Sequence, residues 1–318
     1  MKKSAIIGGL VWSGLAAATS FNKLELIWIE LLFLFASLVI VPLCLELTAR
    51  VEAGEKPGGT ERIARYLQPP AAILAVVSFF FTRRIPAAAL AVAWLICCGF
   101  LSLGGLARIA RGAFSRLERT CTAVAFLYIS VGAAWLLASR LGLTPIGFQE
   151  PIVLLTAVHF HYAGFAAPIM ARSTSRALAA KGTQGTAPAI FKVVVAGVLL
   201  GPAFLAAGFV IGPRFKLVAA LILAASEIGL AASFLAALPA VQGLWTKLLI
   251  GIAAASALFS MALAGLWAIG EFPLQPFVHL NEMARFHGTA NAFGFTLCGL
   301  LGWLLARKND LETRSELG

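Results

Sequence analysis

Apolar residues run along this chain in blocks of about twenty, the length that carries an α-helix across a bilayer core at about 1.5 Å per residue. Short connections rich in Arg, Lys, Gly and Pro separate the blocks. The pattern predicts ten helices, over roughly residues 5–20, 24–47, 66–82, 86–106, 120–138, 149–171, 188–211, 216–238, 244–269 and 287–306. The expected fold is therefore all-α, a polytopic transmembrane helix bundle forming one integral membrane domain over residues 1–318. The first block, with Lys2 and Lys3 ahead of an apolar run and the small residues Ala16 to Ala18 behind it, also fits a cleaved signal peptide. A first spanning helix is the preferred reading. The clearest hydrophilic connection is residues 49–65, broken by Pro57, Gly58 and Gly59.

Charge sets the expected orientation. Counting Lys and Arg on alternate sides of the ten blocks gives 18 on one side and 7 on the other. The positive-inside rule then puts both chain ends in the cytoplasm, with anionic lipid as the partner of the basic loops. Composition agrees: 60% hydrophobic residues, 12% charged and a mean hydropathy of +0.91 belong to a bilayer protein. The net charge of +11 reads as lipid-facing basic loops, not as a nucleic-acid surface. The expected location is the cell inner membrane. Cys44, Cys97, Cys98, Cys121 and Cys298 fall inside apolar blocks without a CxxC pair, as small core residues do.

Polar residues inside the blocks are the candidates for chemistry, because a carboxylate at a helix centre costs about 2.5 to 3.5 kcal/mol on insertion scales. All four histidines lie in two stretches. The first, VHFHYAGF, carries His159, His161 and Tyr162; the second, HLNEMARFHGTANAFGF, carries His279, Glu282, His287 and Asn291. Glu30 and Glu227 stand inside otherwise apolar blocks, whereas Glu46, four residues before Arg50, reads as a surface ion pair. By depth, Glu30, His287 and Asn291 belong to the outer third, with His159, His161 and Glu227 just below. Expected to line one cavity open to the outside are His159, Tyr162, His287 and Asn291, with Glu30 or Glu227 lending charge.

Helix geometry restrains that expectation. His159 and Tyr162 share a face, but His159 and His161 differ by about 200° on a regular helix. Pro168 removes a donor to the carbonyl of Gly164, so a bend just after the histidines is expected. Bland readings stand beside the functional ones: His161 as a hydrogen-bonded packing residue, His279 as an interfacial residue, Tyr162 as a phenol satisfied by any carbonyl. The Trp residues read as anchors near block ends.

The strings VHFHYAGFAAPIM, HG..NAFGF (His287, Gly288, Asn291 to Phe295) and LVIVPLCLEL resemble the YndJ-like family of bacterial membrane proteins. That resemblance implies a multi-pass membrane protein and carries the label of a transporter, with no substrate or catalytic residue to transfer. Three function classes follow. A small-solute or proton-coupled transporter would use Glu30, Glu227, Glu282 and the histidines as a polar pathway. An intramembrane enzyme would use His159, His161 and His287 as ligands of a transition metal or as acid and base, on a lipid or isoprenoid-like substrate. A scaffold or assembly factor would need neither.

Overall fold

A computed structural model describes residues 1–49, 57–181, 187–273, 275 and 278–316. The described residues form ten helices in the predicted order: α1 Lys2–Ser20, α2 Trp28–Ala49, α3 Gly59–Ser78, α4 Ile85–Ala110, α5 Leu117–Leu141, α6 Ile152–Ala180, α7 Ala189–Ile211, α8 Pro213–Ala240, α9 Leu244–Glu271 and α10 Leu280–Asn309. Eight of them are long and apolar enough to cross a membrane; α1 and α3, which carry charged first turns (Lys2 and Lys3; Glu61 and Arg62), are the other two. All five cysteines are free.

Two helices start more than a turn earlier than hydropathy predicts. The helix expected at 66 begins at Gly59, because Glu61 and Arg65 lie one turn apart and are tied to each other, which turns an apparently loop-like polar segment into helix. The one expected at 287 begins at Leu280, where Glu282 Oε2 accepts the backbone N–H of His279 at 3.1 Å and so fills an orphan donor at the helix start.

The chain divides into two compact units, Met1–Ala166 and Ala167–Gly318. The first is organised around α2, in which every residue from Ile29 to Leu45 is buried, as expected of a helix apolar on all sides. α1 lies antiparallel along it: the Met1 amino group is 3.9 Å from Glu46, and Trp12 Nε1 donates to the Leu31 carbonyl at 2.7 Å. Arg50, the expected partner of Glu46, lies outside the described residues. On another side α3 supplies Gln68, whose amide donates to the Ser37 carbonyl at 2.9 Å. α4 and α5 are zipped by Ser102 and Ser130, whose hydroxyls are 2.7 Å apart.

In the second unit α7 and α8 form a hairpin with glycines at its seam. A side chain at Gly197 would meet Ser226 and one at Gly201 would meet Leu223, so the Gly-x-x-x-Gly spacing lets the two backbones close together. α9 is antiparallel to α8, fixed at one end by Lys216 and Glu271 at 2.9 Å, and antiparallel to α10, fixed by His287 on the Ser260 carbonyl.

Three helices share one construction. α2, α6 and α10 each pass through a π segment, Ala36–Ile40, Phe160–Ala166 and Ala290–Leu297. Each also has a carboxylate accepting a backbone N–H at its start: Glu30 from Ile27, Glu150 from Leu154 and Glu282 from His279. Pro42 and Pro168 follow two of these segments within two residues. A proline leaves the carbonyl four residues back without its usual donor, and a locally widened turn accommodates that vacancy. The expected bend after the histidines thus takes the form of a π turn.

Candidate functional site

His161 is fully buried at the centre of the first unit. Trp94 Nε1 donates to His161 Nε2 at 3.0 Å, and His161 Nδ1 lies 2.7 Å from the Ala157 carbonyl. An indole nitrogen only donates and a carbonyl only accepts, so the ring is the neutral tautomer with its proton on Nδ1. The planes of the two rings are nearly parallel, 19° apart, while Phe33 packs edge-on at 5.1 Å. The space exists because residue 132 is glycine: a Cβ there would stand 2.7 Å from His161 Nδ1. Next to it, Tyr162 donates its hydroxyl to the Leu32 carbonyl at 3.0 Å. His159 turns the other way, exposed, with Nδ1 on the Leu155 carbonyl at 2.9 Å. The two histidines therefore occupy different faces, and His161 has both nitrogens engaged.

Glu30 is not left with its helix alone. Its Oε2 caps α2, while Oε1 lies 3.8 Å from Arg140 and 3.9 Å from Arg83. Glu150 joins the group: its Oε1 accepts from Ser139 Oγ at 2.5 Å and stands 3.7 Å from Arg83. Arg140, only 2% exposed, stacks over Phe79 with 4.1 Å between Cζ and the ring centre. At the opposite end of the unit, Glu61 is fully buried and bound by two arginines, Arg65 at 2.6 Å and Arg108 at 2.5 Å. Arg65 continues to the Leu45 carbonyl at 2.6 Å and to Thr48 at 3.1 Å, which clamps α3 to α2.

In the second unit the arrangement is different. Glu227 is 3% exposed, facing protein, and among the described residues neither of its carboxylate oxygens has a hydrogen-bond partner. Its level follows from the contacts around it. Lys216 meets Glu271 and Leu221 approaches Gly265, so the antiparallel register carries Glu227 to the level of Phe259 and Ser260. Phe234, two turns further along the same face of α8, packs on Phe295 at 5.7 Å and beside Gly299, which sets Glu227 opposite the π segment of α10. Ser260 is also where His287 binds: Nδ1 donates to the Ser260 carbonyl at 2.8 Å, and Asn291 Nδ2 donates to Nε2 at 3.0 Å. His287 thus has the same tautomer as His161. Ser260, His287 and Asn291 form a polar layer, and the register carries Glu227 to its height with no hydrogen bond to it among the described residues, whereas Glu282 stays at the start of α10 as a helix cap.

Sequence reasoning missed Trp94, Arg83, Arg140, Glu150 and the Glu61 clamp. Trp94 is a fully buried mid-helix donor, contrary to the expectation that the Trp residues mostly stand near block ends as anchors. A usable signal was present for Glu61 and Arg65, four residues apart. Among the described residues no group of three or more His, Cys, Asp or Glu side chains is placed to hold a metal ion.

A family model described as YndJ-like protein matches residues 31–295. The chain belongs to the YndJ-like family. Two of its three π segments fall within the matched range and the third, Ala290–Leu297, runs just past its end; together they include residues of all three strings that carry the resemblance. The membrane protein YndJ of Bacillus subtilis (strain 168) is 26% identical over 316 residues, covering 99% of this chain and 55% of that protein. The chain thus spans about half the length of that relative. No solved structure matches.

Proposed function

We propose that the protein is a small-solute transporter of the bacterial cytoplasmic membrane, coupled to proton movement at Glu227, with both chain ends and the basic, lipid-facing loops on the cytoplasmic side. The observation that carries this reading is the state of Glu227: a carboxylate buried inside a spanning helix, with both oxygens unpartnered among the described residues. A carboxylate kept for stability at such depth is expected to be matched by cations, as Glu61 is. One without a partner can gain or lose a proton without breaking a protein contact, which is the property a coupling group needs. Support also comes from α10, whose π segment carries Asn291 at about the level of Glu227, since interrupted helices beside polar groups recur in carriers.

An intramembrane enzyme using His159, His161 and His287 on one metal has less support, because both nitrogens of His161 are occupied. The test is reconstitution into liposomes that hold a pH-sensitive dye, challenged with pools of small solutes. The expected result is a solute-dependent pH change with the native chain and none with Glu227→Gln. An equal response from Glu227→Gln, or no response of the native chain to any pool, overturns the proposal.

A further inference from the structure

The group formed by Glu30, Arg83, Ser139, Arg140 and Glu150 has no part in the transport reading, and its donors do not balance. A guanidinium carries five N–H bonds. Arg140 uses one, to Ser139 Oγ at 3.3 Å, and its buried Nε has no partner among the described residues. Arg83 approaches Glu30 and Glu150 only at 3.9 and 3.7 Å, beyond hydrogen-bond reach. The carboxylates are held from behind and do not close the gap: Glu30 by the Ile27 N–H, Glu150 by the Leu154 N–H and the Ser139 hydroxyl. Arg140, 2% exposed, thus meets its carboxylate only at 3.8 Å and keeps Nε unpartnered among the described residues, beside an Arg83 that makes no hydrogen bond to protein there and is open to solvent. For the buried Arg140 that is costly unless something else accepts its remaining bonds.

We infer that this end of the first unit binds a phosphate group bridged by Arg83 and Arg140. Two guanidinium forks on separate segments need acceptors pointing in more than one direction. A tetrahedral phosphate supplies them, whereas the two coplanar oxygens of a carboxylate suit a single fork. Two arginines and two glutamates sum to zero before a ligand arrives, so an anion is held here by direct guanidinium hydrogen bonds, aided by the partial positive charge of the α2 and α6 N-termini, and against the two carboxylates. Arg83, whose side chain is 36% exposed, is the member a ligand reaches first. It stands among exposed apolar residues, Phe80, Phe81 and Ile85, as a residue at a headgroup boundary does. A phospholipid headgroup and free phosphate share this chemistry.

The experiment uses the full chain in detergent, titrated calorimetrically with inorganic phosphate at constant ionic strength, and with short-chain phosphatidylglycerol against the matching diacylglycerol. Saturable binding of a phosphate-bearing probe, absent for diacylglycerol, is expected. Arg83→Gln should weaken it at least tenfold with an unchanged melting curve, and Arg83→Lys by less. Binding of inorganic phosphate assigns the site to free phosphate, and binding of the phospholipid alone assigns it to a headgroup; either supports the inference. Saturation by neither probe, or an Arg83→Gln variant that binds like the native chain, overturns it. Arg83→Gln is decisive whether or not Arg140→Gln folds, and none of these outcomes depends on transport.

Discussion

The two units treat a buried carboxylate in opposite ways. In the first, Glu61 is held by two arginines within 2.6 Å, and both arginines reach further into the unit, to Leu45, Thr48 and Gly104. In the second, Glu227 has neither cation nor hydrogen-bond donor among the described residues, although it is 3% exposed. Burial alone therefore does not tell a paired acid from an unpaired one. The distinguishing feature is whether the protein has supplied the charge with partners, since removing one member of a paired set strands the others, while removing an unpaired group strands nothing.

The largest expected effect is at the clamp. Glu61→Gln leaves Arg65 and Arg108 without their counter-charge and should cost about 3–5 kcal/mol, read as a large drop in apparent melting temperature in detergent. A small drop would mean that Leu45, Thr48 and Gly104 satisfy the arginines by themselves. Next comes the centre of the first unit. Trp94→Phe keeps an aromatic ring but removes the indole N–H, leaving His161 Nε2 buried without a donor, a loss of about 1–3 kcal/mol on top of the packing lost with the second ring. Gly132→Ala should cost about as much, roughly 1–3 kcal/mol by overpacking, because the added methyl would lie 2.7 Å from His161 Nδ1. Thermal unfolding followed by tryptophan fluorescence checks both, and a native-like Trp94→Phe would show that the bond to His161 contributes nothing. In the second unit, Asn291→Ala removes the donor to a half-buried His287 and should cost about 1 kcal/mol. Loss of stability on the scale of Glu61→Gln would make that polar layer a structural element.

The helix count and order were legible because a bilayer demands about twenty apolar residues per crossing, and this chain has few charges to blur the blocks. Glu227 was legible for the same reason, since a lone carboxylate stands out in an apolar run. The partners of Glu30 were not. Arg140 lies on a helix more than a hundred residues away, and no periodicity links α2 to α5. Trp94 escaped because an indole in an apolar block looks like any large side chain until its N–H is seen to have an acceptor. The π turns were half legible: Pro168 and Gly164 pointed to a disturbed helix, but residue spacing on an ideal 3.6-residue turn could not say how the backbone would adjust.

The most direct measurement is the melting temperature of Glu227→Gln set beside those of the native chain and Glu61→Gln, at matched detergent and protein concentration. Because Glu227 gives up no hydrogen bond or ion pair among the described residues, its replacement by the neutral isostere should leave the transition within about 1 kcal/mol of native or raise it, while Glu61→Gln falls well below. A Glu227→Gln variant that melts as early as Glu61→Gln would contradict the account, since that acid would then be paired for stability and not kept free for proton exchange.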